Sequence, residues 1–157
     1  MPPSDTADEN GAELPITVDY GLTIEEMIRA GSYHRVETNI NAANFTVQGS
    51  GVEHCTAVLL DLERYITTRK AETEIVHRGL RPARLEELLA FGATYQDQHA
   101  IALGSSWVGP GRQRQVPAIF IYPETEYDDE HRDLVLTSAD PDTQWLGVPF
   151  LAVRARG

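Results

Sequence analysis

Apolar and polar positions follow several short periods along the first half of the chain and settle into strand-like alternation in the second. Ile16 to Tyr20 alternates apolar and polar side chains, as a short strand does. Thr23 to Glu26 has the form of a capping box, in which Thr23 accepts from the third helical amide and Glu26 returns the bond. The helix behind it places Ile24, Met27 and Ile28 on one face and is expected to stop at Gly31, a good C′ residue. Ser32 to Phe45 fits neither period, and Asn39, Asn41 and Asn44 argue for turns. Gly49-Ser50-Gly51 is a break. Val52 to Leu62 then reads as a long strand, with His54, Thr56, Val58, Leu60 and Leu62 on one side and Cys55, Ala57, Leu59 and Asp61 on the other. Its middle is apolar on both faces, which predicts a central strand.

Thr67 or Thr68 is placed to cap a helix running to about His77, with Ala71, Ile75 and Val76 inward and Gly79 as terminator. A second helix is expected from Ala83 to Phe91, with Pro82 in its first turn and Gly92 as its end. Four strands follow. They are Ile101 to Val108, Val116 to Tyr122 (broken or edged by Pro117), Leu134 to Thr137, and Phe150 to Arg154, with Gly109-Pro110-Gly111 turning between the first two. Helices and strands are segregated. That predicts an α+β fold with a mixed, mainly antiparallel sheet and two consecutive helices between an early strand and a strand-rich C-terminal half. Residues 1–14 lack periodicity and are rich in Pro, Ser, Asp and Glu, so they read as a disordered acidic tail before a single domain over 15–157.

Length and charge sharpen this picture. A chain of 157 residues is one ordinary domain. Its single cysteine excludes an intramolecular disulfide, no apolar run approaches the ~18 residues of a membrane span, and the N-terminus is acidic. The expectation is a soluble cytoplasmic protein. The net charge of −11 is carried entirely by residues 1–14 and 124–142, while the remainder is balanced. Binding of nucleic acid or of an anionic membrane by the whole surface is therefore not expected. One basic stretch stands out, with Arg64, Arg69, Lys70, Arg78, Arg81 and Arg84 against Glu72 and Glu74, and the acids near Asp128 are a candidate counterpart for it.

Catalytic motifs are scarce. His54 and Cys55 are adjacent in a strand and point to opposite faces, which prevents a direct thiol–imidazole pair. Gly-x-Ser-x-Gly does not occur, and Gly109-Pro110-Gly111 lacks the residues of a phosphate loop. His34, His54, His77, His99 and His131 show no ligand spacing in sequence. Asp128, Asp129, His131 and Asp133 form the densest cluster of hard ligands, although neither the D-x-D-x-D-G calcium loop nor an H-x-x-x-H pair is present. Trp107, Tyr122, Tyr127 and Trp145 are candidate interface anchors, with Arg112 and Arg114 beside them, and a place in the core is the competing reading for both tryptophans.

Two resemblances enter at this point. Gly79 to Gly92 (GLRPARLEELLAFG), Ala102-Leu103-Gly104-Ser105 and Phe150-Leu151-Ala152-Val153-Arg154 resemble a family of small bacterial proteins that carries no established activity, and Val18-Asp19-Tyr20 and Glu25-Glu26-Met27-Ile28 fit it too. A helix ending in Gly-Leu, an Arg-Pro step and a helix opening Leu-Glu-Glu also resemble C-type-lectin-like domains, including the formylglycine-generating-enzyme branch, over roughly residues 52–157. The reactive cysteines of that branch are missing, and so are the Glu-Pro-Asn and Trp-Asn-Asp calcium triplets of lectins. Neither resemblance transfers a function.

The resulting expectation is a non-enzymatic binding or structural accessory protein without a cofactor. It would hold a protein partner, a ligand or a second copy of itself through the loops between Ser105 and Gly147. The alternative is a small hydrolase assisted by a divalent metal at His131 and nearby carboxylates, and convergence of His131 with His99 and acids in one cleft would favour it. A thinner third reading has the acidic segments mimicking nucleic acid.

Overall fold

A computed structural model of the chain describes residues 12–47, 49–62 and 64–154. The expected tail lies outside the described residues as far as residue 11, and strand β1 (Glu13–Asp19) already begins within its last two positions. Thr23 caps α1 (Ile24–Ala30) as a capping box: its Oγ1 accepts from the Glu26 amide at 3.1 Å, and Glu26 Oε1 accepts from the Thr23 amide at 2.9 Å. Gly31 ends the helix, but in a right-handed conformation with φ −86°. What it supplies is space, because a Cβ there would sit 2.6 Å from Tyr33 Cζ.

The described residues between 32 and 51 are turns, bends and irregular chain, apart from a two-residue strand β2 (Arg35–Val36). Next come β3 (Val52–Asp61), β4 (Tyr65–Thr67) and α2 (Thr68–His77), capped by Thr67 Oγ1 on the Lys70 amide. Gly79 follows α2 with φ +78°, the left-handed step expected of a terminator. Val76, read as inward, is 62% exposed and faces solvent.

The second helix departs from its expectation. Leu80–Pro82 forms β5, which pairs antiparallel with the last strand, and the Ala83 amide bonds to Leu151 O. This pairing holds Pro82 in the sheet and moves the start of α3 (Leu85–Thr94) past it. There Glu87 Oε1 accepts from the Arg84 amide at 2.9 Å and Ser105 Oγ accepts from the Leu85 amide at 2.8 Å. Gly92 does not end α3 but lies within it.

The strand predicted over Ile101 to Val108 is two short pieces, β6 (Ala100–Ile101) and β7 (Trp107–Val108), which pair with different parts of β8 (Arg114–Tyr122). The interruption explains why Pro117 is tolerated in the middle of β8. Its carbonyl accepts from the Ala102 amide, so its nitrogen faces the same side, where β6 has ended and β7 has not begun. The remaining strands are β9 (His131–Ser138), β10 (Gln144–Leu146) and β11 (Pro149–Arg154).

Among the described residues the principal sheet runs β1-β3-β11-β6-β8-β9-β2, with β5 on β11 and β7 on β8, while β4 and β10 pair separately. Only the β11–β6 and β9–β2 neighbours are parallel, so the fold is α+β with a mixed, mainly antiparallel sheet. Strand β3 is central, as its two apolar faces require. Alternation along the strands divides the core in two. Ala57, Ile119, Leu151 and Val153 face α1 and α3, which contribute Ile24, Met27, Leu88, Leu89 and Phe91. Val58, Leu60, Ala118, Phe150 and Ala152 face α2, with Ala71 and Ile75. No helix among the described residues is long and apolar enough to cross a membrane.

One buried cation joins the first layer together. Arg132 on β9 is 8% exposed, and its guanidinium donates to Gly92 O at 2.7 Å and to Gly31 O. Both carbonyls lie at the C-terminal ends of helices, where the backbone carries partial negative charge. The guanidinium also sits 4.6 Å from the Tyr33 ring centroid. A Cβ on Gly92 would lie 2.8 Å from Ile119 Cδ1 and closer still to Tyr33 Oη, itself buried without a hydrogen-bond partner.

Three outcomes follow for stability in urea. Gly92→Ala, which raises intrinsic helix propensity by about 1 kcal/mol, is expected instead to destabilise by roughly 1–3 kcal/mol through overpacking. Tyr33→Phe, which removes the unpartnered hydroxyl, is expected to be neutral or stabilising and to reduce the cost of Gly92→Ala in the double variant. Arg132→Lys keeps the charge and loses the two-pronged contact, with an expected loss of about 2 kcal/mol.

Candidate functional site

The loops singled out by sequence lie at opposite ends of β8, separated by the length of a nine-residue strand, or about 27 Å at ~3.4 Å per residue. At one end, the turn after β7 is closed by the Arg112 amide donating to Gly109 O at 2.9 Å, with Arg112 exposed at φ +62°. At the other, residues 123–130 join β8 to β9. The candidates Arg112 and Tyr127 therefore do not share a surface.

Two candidates are structural. Trp145 on β10 is 6% exposed, stands edge-on to Phe150 at 5.6 Å, and donates from Nε1 to Thr68 Oγ1 at 2.9 Å. Its role as an interface anchor is thus corrected to that of a core residue, held there by a strand pair with β4 that carried no sequence signal. Arg114 pairs with Glu72 of α2 at 3.0 Å and donates to Leu103 O at 2.9 Å, so it ties α2 to the sheet. Trp107 is half-buried against the α1/α3 core.

Tyr122 and Tyr127 remain exposed, at 42% and 86%. Tyr127 lines an acidic hollow of about 600 Å³ at the β8–β9 end, walled by the loop acids, His34 and His131, while Tyr122 lies beside it under the His131 ring. Thr125 shapes the loop: its hydroxyl accepts from the amides of Tyr127 and Asp128 at 3.2 and 3.0 Å, and its amide donates to Asp128 O at 2.7 Å. His131 stacks on Tyr122 (5.2 Å, 29°), lies 4.7 Å from the His34 ring, and approaches Asp129 O through Nδ1 at 3.1 Å. The histidine that joins His131 is therefore His34, brought over by β2. His99 instead accepts from the Ile121 amide through Nδ1 and lies beside Phe120.

The proposed metal ligands Asp128, Asp129, His131 and Asp133 do not gather round one point. Asp133 is buried two residues along β9, its Oδ2 is 3.9 Å from His131 Nε2, and its Oδ1 has no hydrogen-bond partner. Asp128 and Asp129 stay on the exposed loop. Among the described residues, no three His, Cys, Asp or Glu side chains are arranged to hold an ion. The basic stretch finds its partners elsewhere, with Arg69 on Asp142 at 3.7 Å and Arg81 in a two-pronged contact with buried Glu87.

Sequence reasoning missed a second concavity, a cavity of about 110 Å³ between β1, α1 and α3. Its wall includes Val18, Leu22, Met27, Leu89 and Ala93, with Glu86 as its buried acid at 3% exposure. Glu86 also borders the opening formed by Asn44–Thr46 and Gly104–Ser106. The sequence reading did not single out Glu86. It is buried because β1, α1 and the turns before β3 close around the flank of α3 on which it lies. Burial raises its carboxyl above the usual range; its own amide opposes this, Glu87 adds to it, and Arg84 and Arg81 partly offset it. Tyr20, on the same side of β1, is pushed up to about 12 by burial first and then by Glu86, Glu53 and Glu87.

Groups facing Glu86 are Glu87 and Arg84 at its own helix start, Arg81 on β5, and Asp19 and Tyr20 at the end of β1. With its affinity for the proton raised on folding, the folded chain holds that proton to higher pH than the unfolded chain does. Glu86 therefore costs nothing below its ordinary value of 4.5 and destabilises increasingly as pH rises through its folded value. Glu86→Gln is expected to raise the Tm at neutral pH, with the gain vanishing toward pH 4, as thermal unfolding across pH would record.

Compared with known proteins, the chain matches no protein-family model, no curated protein and no solved structure.

Proposed function

We propose that this protein is a non-enzymatic binding module that holds a basic protein segment in the acidic hollow at the β8–β9 end. The observation that carries the reading is Tyr127, an aromatic ring 86% exposed among Glu124, Glu126, Asp128, Asp129 and Glu130. A tyrosine so placed offers a large, stiff contact surface at low entropic cost, and the acids around it steer and orient a cation. Thr125 supports the same reading, because its turn presents Tyr127 in a defined position. Side chains of a lysine- or arginine-rich segment complement both features, the alkyl stem or guanidinium on the ring and the charge against the carboxylates. The reading takes nothing from either family resemblance.

Binding of a fluorescent oligolysine peptide, followed by anisotropy at two salt concentrations, tests it. Tyr127→Ser is expected to weaken binding about fivefold or more. Asp128→Asn with Asp129→Asn is expected to weaken it more than the charge-matched pair Glu25→Gln with Asp61→Asn, whose acids are exposed elsewhere. Equal losses from the two pairs, with no effect of Tyr127→Ser, would mean that the peptide senses net charge alone and would overturn the proposal.

A further inference from the structure

The cavity between β1, α1 and α3 is a separate feature, and its chemistry is unlike that of the acidic hollow. Leu89, Ala90 and Ala93 follow Glu86 at three, four and seven residues, so all four share one flank of α3. Val18 from β1 and Leu22 and Met27 from around α1 close the opposite side. The buried acid of this apolar space is Glu86, 3% exposed, on which Arg84 and Arg81 act without forming an ion pair among the described residues. Its neighbour Glu87 is different, being neutralised by Arg81. Asp19 adds a second carboxylate to the lining, engaged through Oδ1 by the Gly21 amide.

A buried carboxylate without an ion pair is an unmet electrostatic demand, and the shape of the cavity limits what can meet it. An anionic occupant would meet Glu86 and Asp19 with like charge. A purely apolar occupant would take away the last water from Glu86 and return nothing. Size is the other constraint: at about 110 Å³ the space is smaller than the ~150 Å³ cavities that take up benzene. The occupant is therefore a small one of a few heavy atoms, and the single buried acid beside apolar walls selects its chemistry.

We propose that this cavity is a binding site for a short primary alkylammonium group, its charge on Glu86 and its chain against Val18, Leu22, Met27 and Leu89. The ammonium supplies the missing cation and the alkyl chain displaces water from apolar walls, so each half of the ligand answers one half of the site. Binding draws on the ionised form of Glu86 and is therefore lost as the pH falls far enough to protonate it.

The test is an amide-resolved NMR titration of the full chain at neutral pH and constant ionic strength, using n-butylammonium, n-butanol and n-butyrate. The expected result is saturable shifts at Leu89–Ala93 and Val18–Asp19 with n-butylammonium at millimolar concentration. Binding of n-butanol should be about tenfold weaker, and n-butyrate should not bind. Glu86→Gln should remove the preference of the ammonium over the alcohol, and Ala93→Leu, which fills the cavity while keeping Glu86, should block both. Nα-acetyl-lysine methylamide distinguishes the source of the chemistry: binding equal to that of n-butylammonium points to a lysine side chain, and its exclusion points to a free amine. Equal binding of n-butanol and n-butylammonium, an unchanged preference in Glu86→Gln, or no saturable shift at the cavity would each overturn the proposal.

Discussion

The guanidinium of Arg132 is the contact on which the first helical layer depends. Helix α1 has seven residues, too few to hold its own shape in water, and its apolar face alone does not fix where its end lies. Arg132 sets that position from the sheet by donating to Gly31 O at the end of α1 and to Gly92 O near the end of α3. Among the described residues it has no carboxylate partner. The charge is balanced instead by two helix C-termini and the face of Tyr33, an arrangement that costs less desolvation of a second ion than a buried salt bridge would. The two glycines complete the device. Each lies against Tyr33 where a methyl group would not fit, so ring, guanidinium and both helix ends are mutually constrained.

Both concavities follow from this frame. Drawing α1 against α3 helps close the flank of α3 on which Glu86 lies and traps it beside an apolar space that the helices do not fill. The same strand that carries Arg132 inward carries His131 and Asp133 on its other face, because side chains alternate. That alternation brings His131 against Tyr122 and His34, and it leaves the preceding acidic loop hanging off the end of the β8–β9 ladder. The molecule thus keeps two kinds of negative charge apart. One set lies in water around an exposed tyrosine, where it acts at a distance. The other is Glu86, withdrawn from water and, unlike its buried neighbour Glu87, without an ion pair, where it acts at contact.

How much of this was readable in advance differs by element. The capping box at Thr23, the two-faced strand β3, the Thr67 cap and the Gly79 terminator depend on contacts within a few residues, and each stands as its local chemistry implies. The misplacements share one cause. Pro82 was read as a helix opener and Gly92 as a helix end, while Trp145 was left between a surface anchor and a core residue. Each is decided by a partner far away in sequence: β11 for Pro82, Tyr33 for Gly92, and Thr68 with β4 for Trp145. The candidate sites divide in the same way. Tyr127 and the acids around it were visible because they are consecutive, whereas no pattern in the sequence singled out Glu86 from Glu87 beside it.

The amino-acid sequence by itself determined the caps at Thr23 and Thr67, the long strand β3, the segregation of helices and strands into an α+β fold, and where the net charge resides. Those properties arise from neighbours a few positions apart, whose periodicity and capping chemistry act before any tertiary contact forms. Tertiary structure alone decided which charges stay in water and which are buried, that His34 rather than His99 meets His131, and that Arg132 grips two helix ends. Burial and pairing of this kind are set by residues tens of positions apart, and no local pattern encodes which distant surface will cover a given side chain.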